Sequence, residues 1–277
     1  MEVQCISIEH HGRNISAKAF IPDKDKYPIV VFSHGFNGSG DDFRMQAETL
    51  AKNGIGAFTY DFCGGAVKSE SDMQTYEMTV FTEKEDLHSV LDTIRKRQNV
   101  DHDNIYLFGA SMGGLVSALV AEERADEIKG MILLFPALCV ADNWNERFPG
   151  VDDIPRIFDV WGVPLGKCFF ETLHGFDVFG NIGKYSGNVL IMHGDKDDTV
   201  PVGYSERAQE IYQNSRLEVF HGEGHGFSAE GNDKVTQMLL EFIQTLSPLE
   251  RKIKEVNKSA KIRSGNHGYQ CDSGYCK

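Results

Sequence analysis

Apolar positions recur with a period of two in some stretches and a period near 3.6 in others, and the two rhythms trade places along most of the chain. Residues 3–8 and 15–21 read as an opening hairpin that turns across His11, Gly12 and Arg13. Residues 29–33, 54–60, 104–108, 129–135, 189–192 and 216–220 are short apolar runs suited to buried strands. Between them, residues 41–52 place Phe43, Ala47, Leu50 and Ala51 on one side of a helix, and residues 80–97 do the same with Leu87, Val90, Leu91 and Ile94. Further helices are expected over 112–123, 204–212 and 234–246. Strands that alternate with helical crossovers predict an α/β fold, a mostly parallel sheet of about eight strands covered on both faces.

One interval breaks the rhythm. About fifty residues, 137–187, separate two buried strands and carry Trp144, Phe148, Phe158, Trp161, Phe169, Phe170, Phe176 and Phe179. A connection that long inside a compact domain has structure or function of its own, so it is read as a cap inserted over the sheet. The expected organisation is one domain over residues 1–248 that includes this cap. A polar segment, 249–277, follows it and is expected to fray.

The chain has 277 residues, enough for a sizeable core without staples, and a formal net charge of −13. Such acidity disfavours nucleic acid as a partner, because that binding draws on Lys and Arg at phosphates. The apolar runs are too short to span a bilayer, and residues 1–13 lack a basic-then-apolar export signal. The expected location is therefore the cytoplasm, with no membrane association. Six cysteines lie without metal-ligand spacing, and only Cys271 and Cys276 sit close together. A homodimer is left open as the assembly.

The chemistry centres on Gly109-Ala110-Ser111-Met112-Gly113-Gly114, a G-x-S-x-G pattern set between a predicted strand and a predicted helix. A sharp strand-to-helix turn projects a serine hydroxyl from the sheet edge only if its neighbours two positions away lack side chains. It also aims the free N–H groups of the helix start at developing negative charge. A serine hydroxyl needs a base and an orienting carboxylate, in the chain order Ser, acid, His. Asp195, Asp197 and Asp198 follow the 189–192 strand, and His225 follows the 216–220 strand, so the order is met. An oxyanion hole requires two N–H donors. Met112, after the nucleophile, supplies one, and Phe36 in Ser33-His34-Gly35-Phe36-Asn37-Gly38 is expected to supply the other. His34 is read as a structural partner in that loop. The three glycines and an acid around His221 and His225 argue against a helical metal pair, and neither metal nor cofactor is expected.

With His34-Gly35-Phe36, the serine turn, the 193–201 segment and Gly222-Glu223-Gly224-His225-Gly226-Phe227 in view, the chain resembles the α/β-hydrolase superfamily over residues 1–248. Within it, the chain is similar to small bacterial feruloyl or cinnamoyl esterases. Their turn pattern H-G-x-x-D-x-x-V-P, laid on His193, Gly194, Val200 and Pro201, selects Asp197 as the acid. The resemblance implies an acyl-enzyme mechanism on carboxylic esters, with a small-molecule ester as the partner and feruloyl, cinnamoyl, other aryl or short-chain acyl groups as substrates. It also implies that the cap closes over the acyl group, with Asp142 as a hydroxyl partner and Trp144, Trp161 and Phe169 along the pocket. A serine peptidase or amidase of the same fold is the alternative, and a non-catalytic binding protein is the reading from another class.

Overall fold

The computed structural model describes residues 1–246. The expected tail, 249–277, and the Cys271–Cys276 pair lie outside the described residues. Two antiparallel strands, β1 (Glu2–His10) and β2 (Arg13–Ile21), open the chain, followed by β3 (Tyr27–Ser33), α1 (Arg44–Lys52) and β4 (Gly56–Tyr60). Then come α2 (Val80–Arg95), β5 (Val100–Ala110), α3 (Met112–Glu123) and β6 (Gly130–Leu134). The stretch up to the next sheet strand holds α4 (Val140–Arg147), a hairpin of β7 (Ile157–Val160) and β8 (Val163–Gly166), and α5 (Lys167–Leu173). The chain closes with β9 (Asn188–Gly194), α6 (Gly203–Ile211), β10 (Ser215–Phe220) and α7 (Ala229–Leu246).

Eight strands form one sheet in the order β1-β2-β4-β3-β5-β6-β9-β10, parallel from β4 onward. Only the pairings of β2 with β1 and β4 are antiparallel. Two cores cover the faces. One packs α2, α3 and the segment between β6 and β9 on one side, with Leu87, Val90, Leu115 and Phe169. The other packs α1 and α7 on the opposite side, with Ala47, Leu50, Val235 and Leu239. After β3 the chain turns one way to β4 and then crosses to β5 on the other flank. That reversal opens a crevice beyond the carboxyl ends of β3 and β5, where an open α/β sheet seats its ligands.

Element ends differ from the periodicity where side chains or glycine intervene. The helix expected from residue 41 begins as a 3-10 turn, Gly40–Phe43, because the Asp42 carboxylate accepts from the Ser39 N–H at 2.9 Å and tightens the first turn. The strand expected from residue 54 starts two residues later. Gly54, at φ +78°, ends α1 through its N–H to Ala51, a conformation that favours glycine. α2 starts cleanly because the Thr79 hydroxyl accepts from the Thr82 N–H and the Thr82 hydroxyl accepts from the Thr79 N–H, a reciprocal cap. The β7–β8 hairpin was not foreseen. It turns on Trp161 and Gly162, both at positive φ (52° and 85°), a geometry that suits the strand twist but is uncommon for tryptophan. Among the described residues no helix is long and apolar enough to cross a membrane.

Candidate active site

Ser111 sits between the last residue of β5 and the first of α3, with φ 51° and ψ −117°. A non-glycine residue held there carries roughly 1–3 kcal/mol of strain and persists only where its surroundings over-determine it. The surroundings do so here. The Ser111 N–H donates to the Leu134 carbonyl at 2.9 Å, and its own carbonyl accepts from Ala137 at 2.8 Å and Gly114 at 3.0 Å. A methyl on Gly109 would collide with the Gly113 carbonyl and the Ser117 hydroxyl, and one on Gly113 would strike the carbonyls of Ser33 and His34. These contacts show why the strand end can press against α3 at Gly109, and the turn against the end of β3 at Gly113, only with glycine at both places.

His225, on the loop after β10, reaches the serine. Its Nε2 accepts from the Ser111 hydroxyl at 3.0 Å, and its Nδ1 donates to Asp197 Oδ2 at 2.8 Å. Asp197 is the carboxylate that meets the ring. Asp195 instead accepts from His221 Nδ1 at 3.0 Å and the Gly222 N–H at 2.7 Å, and Asp198 meets the Thr199 hydroxyl. The Asp197 side chain is fully buried, and its Oδ1 accepts from the N–H groups of Thr199 and Val200 at 2.9 and 2.8 Å.

Sequence reasoning passed over a further support. His193, in β9, is buried; its Nε2 proton points to the Val200 carbonyl at 2.9 Å and also lies 3.2 Å from Asp197 Oδ2. Its Nδ1 accepts from the buried Ser205 hydroxyl at 2.7 Å. Burial pushes the His193 pKa below the ordinary histidine value, which favours the neutral ring that can accept and donate at once. The signal was present in the sequence, since a histidine inside an apolar strand must find partners.

On the opposite side of the serine, Gly35 approaches so closely that a Cβ on it would lie 3.1 Å from Ser111 Cβ. Phe36 and Met112 both line the cavity at the serine, and among the described residues no protein acceptor engages either backbone N–H. His34 is a loop fixture. It is buried, its Nδ1 donates to the Gly35 carbonyl at 2.7 Å and its Nε2 accepts from the Phe62 N–H at 2.9 Å.

A cavity of about 980 Å³ opens over Ser111 and His225. Trp144, Trp161 and Phe169 line it. Phe169 is buried, while Trp161 is 77% exposed and meets the Phe36 ring edge-on at 6.1 Å between centroids. Trp144 also packs edge-on against Phe170 at 4.9 Å. Asp142 corrects an expectation. It does not line the cavity, because Tyr204 donates its hydroxyl to Asp142 Oδ2 at 2.8 Å and holds the carboxylate aside. Among the described residues no cluster of His, Cys, Asp and Glu is arranged to hold a metal ion.

Residues 24–169 match the family model described as serine aminopeptidase, S33, a span that includes the serine turn and ends before Asp197 and His225. A non-heme haloperoxidase of Rhodococcus erythropolis is 44% identical over 264 residues, covering 78% of this chain and 92% of that protein. An AB hydrolase superfamily protein, YisY of Bacillus subtilis, is 23% identical over 261 residues, covering 80% and 94%. Among solved structures, Est1E of Butyrivibrio proteoclasticus with bound ferulic acid superposes with a TM-score of 0.80 at 27% identity, over 87% of this chain and 98% of that one.

Proposed function

The chain belongs to the serine aminopeptidase S33 family within the α/β-hydrolases, and from that premise we propose that it cleaves carboxylic esters through an acyl-serine intermediate. The observation that carries the proposal is the hydrogen-bonded line from Ser111 through His225 to Asp197, 3.0 and 2.8 Å, on the floor of a cavity large enough for a small ester. Ser111 Oγ attacks the acyl carbon while His225 Nε2 takes its proton. The new oxyanion is held by the N–H groups of Phe36 and Met112 at the start of α3. Collapse expels the alcohol, which leaves with the proton from His225. Water then gives a proton to His225 and attacks the acyl carbon, and collapse frees the acid as His225 returns that proton to Ser111 Oγ, with Asp197 stabilising the imidazolium in both halves.

An apolar or aromatic acyl group suits the walls provided by Val140, Trp144, Leu165 and Phe169. Glu146 and Glu171 do not line the cavity, and the ester reading is supported by its apolar walls rather than by a pair of glutamates set to grip a free amine. The test is Ser111→Ala. Turnover of p-nitrophenyl butyrate should fall by about a thousandfold or more, with the thermal transition and circular dichroism of the folded protein retained. Near-wild-type turnover in the folded variant would overturn the mechanism.

A further inference from the structure

Between β10 and α7, the loop that carries His225 reads Gly222-Glu223-Gly224-His225-Gly226-Phe227. Three of its first five residues are glycine, and Gly222 and Gly226 sit at φ +86° and +93°. Glycine leaves a backbone more freedom than any other residue. Such a loop by itself would leave the imidazole free to swing, yet His225 stands 3.0 Å from Ser111 Oγ and 2.8 Å from Asp197 Oδ2. Apart from His225, the only side chain among those five residues is that of Glu223.

Glu223 reaches across the loop. Its Oε2 accepts from the Ser228 N–H at 2.7 Å, and its Oε1 accepts from the Ser228 hydroxyl. His225 lies midway along the stretch that these two bonds close. Ser228 is itself anchored to α7, because its hydroxyl accepts from the Gly231 N–H at 3.1 Å and its carbonyl from the Asn232 N–H at 2.9 Å. The Glu223 carbonyl turns the other way and accepts from the Lys196 N–H at 2.9 Å, one residue before Asp197. A single residue thus joins the loop of the base, the loop of the acid and the first turn of α7. Asp195 bonds the chain at His221 and Gly222, ahead of this clasp.

Two glycines outside the loop make room for Glu223. A Cβ on Gly194, at the end of β9, would lie 2.2 Å from the Glu223 carbonyl oxygen, and one on Gly231 would lie 2.6 Å from Oε1. The bonds from the Ser228 hydroxyl and N–H hold the Glu223 carboxyl below the ordinary glutamate value, so it is an ionised acceptor at neutral pH. Glu223 does not line the cavity. We propose that Glu223 is a positioning residue for the proton transfer: its clasp on Ser228 and Lys196 sets where His225 Nε2 stands relative to Ser111 Oγ. In its assay, though not in its geometry, this rests on the ester-hydrolase reading above.

The test compares Glu223→Ala with Glu223→Gln, which keeps the length and a carbonyl oxygen for the Ser228 N–H. On p-nitrophenyl butyrate the alanine variant should lose about ten- to a hundredfold in kcat, the scale of a misplaced catalytic group, at a KM within about twofold of wild type. The glutamine variant should recover most of that loss. Labelling of Ser111 by a fluorophosphonate probe should slow by the same factor in the alanine variant, because that reaction needs the same proton transfer and no ester. A kcat near wild type in folded Glu223→Ala overturns the proposal, as does a loss confined to KM or a glutamine variant as slow as alanine. Should the alanine variant fail to fold, Ser228→Ala decides. It removes the hydroxyl half of the clasp and should lower kcat and the labelling rate by a few-fold; no change in either overturns the proposal. Wild-type protein that takes the probe but cleaves no ester counts against the ester reading, and the clasp is then judged on labelling rates alone. Wild-type protein that reacts with neither overturns both.

Discussion

Two regions of this molecule bury carboxyl groups, and they treat them in opposite ways. Asp197, at the carboxyl end of the sheet, is met by the N–H groups of Thr199 and Val200 and by the rings of His225 and His193. Glu83 and Asp86, one turn apart on α2, are buried beneath the loop after β4 with far less help. Asp86 Oδ2 accepts the Cys63 N–H at 2.8 Å, while Asp86 Oδ1 and Glu83 Oε2 have no partner. Desolvation pushes the Asp86 carboxyl up to about 7 and Glu83 well above the ordinary carboxylate range. Burial alone thus favours the neutral form of an acid, whereas converging donors favour its charged form. The first region turns its carboxylate to a facing ring, and the second shifts its carboxyls toward the neutral form.

The sharpest way to break this contrast is Asp197→Asn. The variant keeps the shape but presents an amide where the His225 ring must donate, so kcat on p-nitrophenyl butyrate should fall by about 10³–10⁴-fold while the fold survives. A loss of tenfold or less would show that the donor set around Asp197 serves packing alone. A second experiment addresses the other region. Because Asp86 and Glu83 have raised pKa values in the folded protein, the folded state holds protons that the unfolded chain releases near pH 4. Their stability contribution is full below that range and is lost as pH rises through about 7 for Asp86, at up to about 1.4 kcal/mol per pH unit for each proton. Urea unfolding between pH 5 and 9 should show this decline in wild type and a shallower one in Asp86→Asn. Equal slopes would mean that the carboxyl finds a partner in the folded state. The smallest effect is expected from Ser205→Ala, which removes the hydroxyl that fixes His193 at 2.7 Å. Stability should drop by about 1 kcal/mol and kcat by a few-fold, read by thermal melting and by steady-state rates. No change in either would detach His193 from the support of Asp197.

Much of this was legible beforehand, and the gaps have physical causes. The eight strands of the sheet and the helices that flank it follow from apolar periodicity, since each buries one stripe or two faces against a neighbour. The serine turn was legible because only glycine fits where Gly109 and Gly113 press on backbone. Three acids after β9 looked alike as residues, and their separation came from where each side chain found donors. Asp195 turned to His221, Asp197 to His225. The β7–β8 hairpin escaped notice because its turn places a tryptophan at positive φ, against local preference. Asp142 looked available until Tyr204, 62 positions later, took its carboxylate.

The order of elements, the chemical types at the strand ends and the need for glycine at the turn are properties of the sequence, because they depend on neighbours a few residues apart. The meeting of Ser111 with His225, 114 positions away, was decided only by the tertiary structure. It depends on the strand order, which brings the ends of β3, β5, β9 and β10 to one edge. No local spacing encodes that distance.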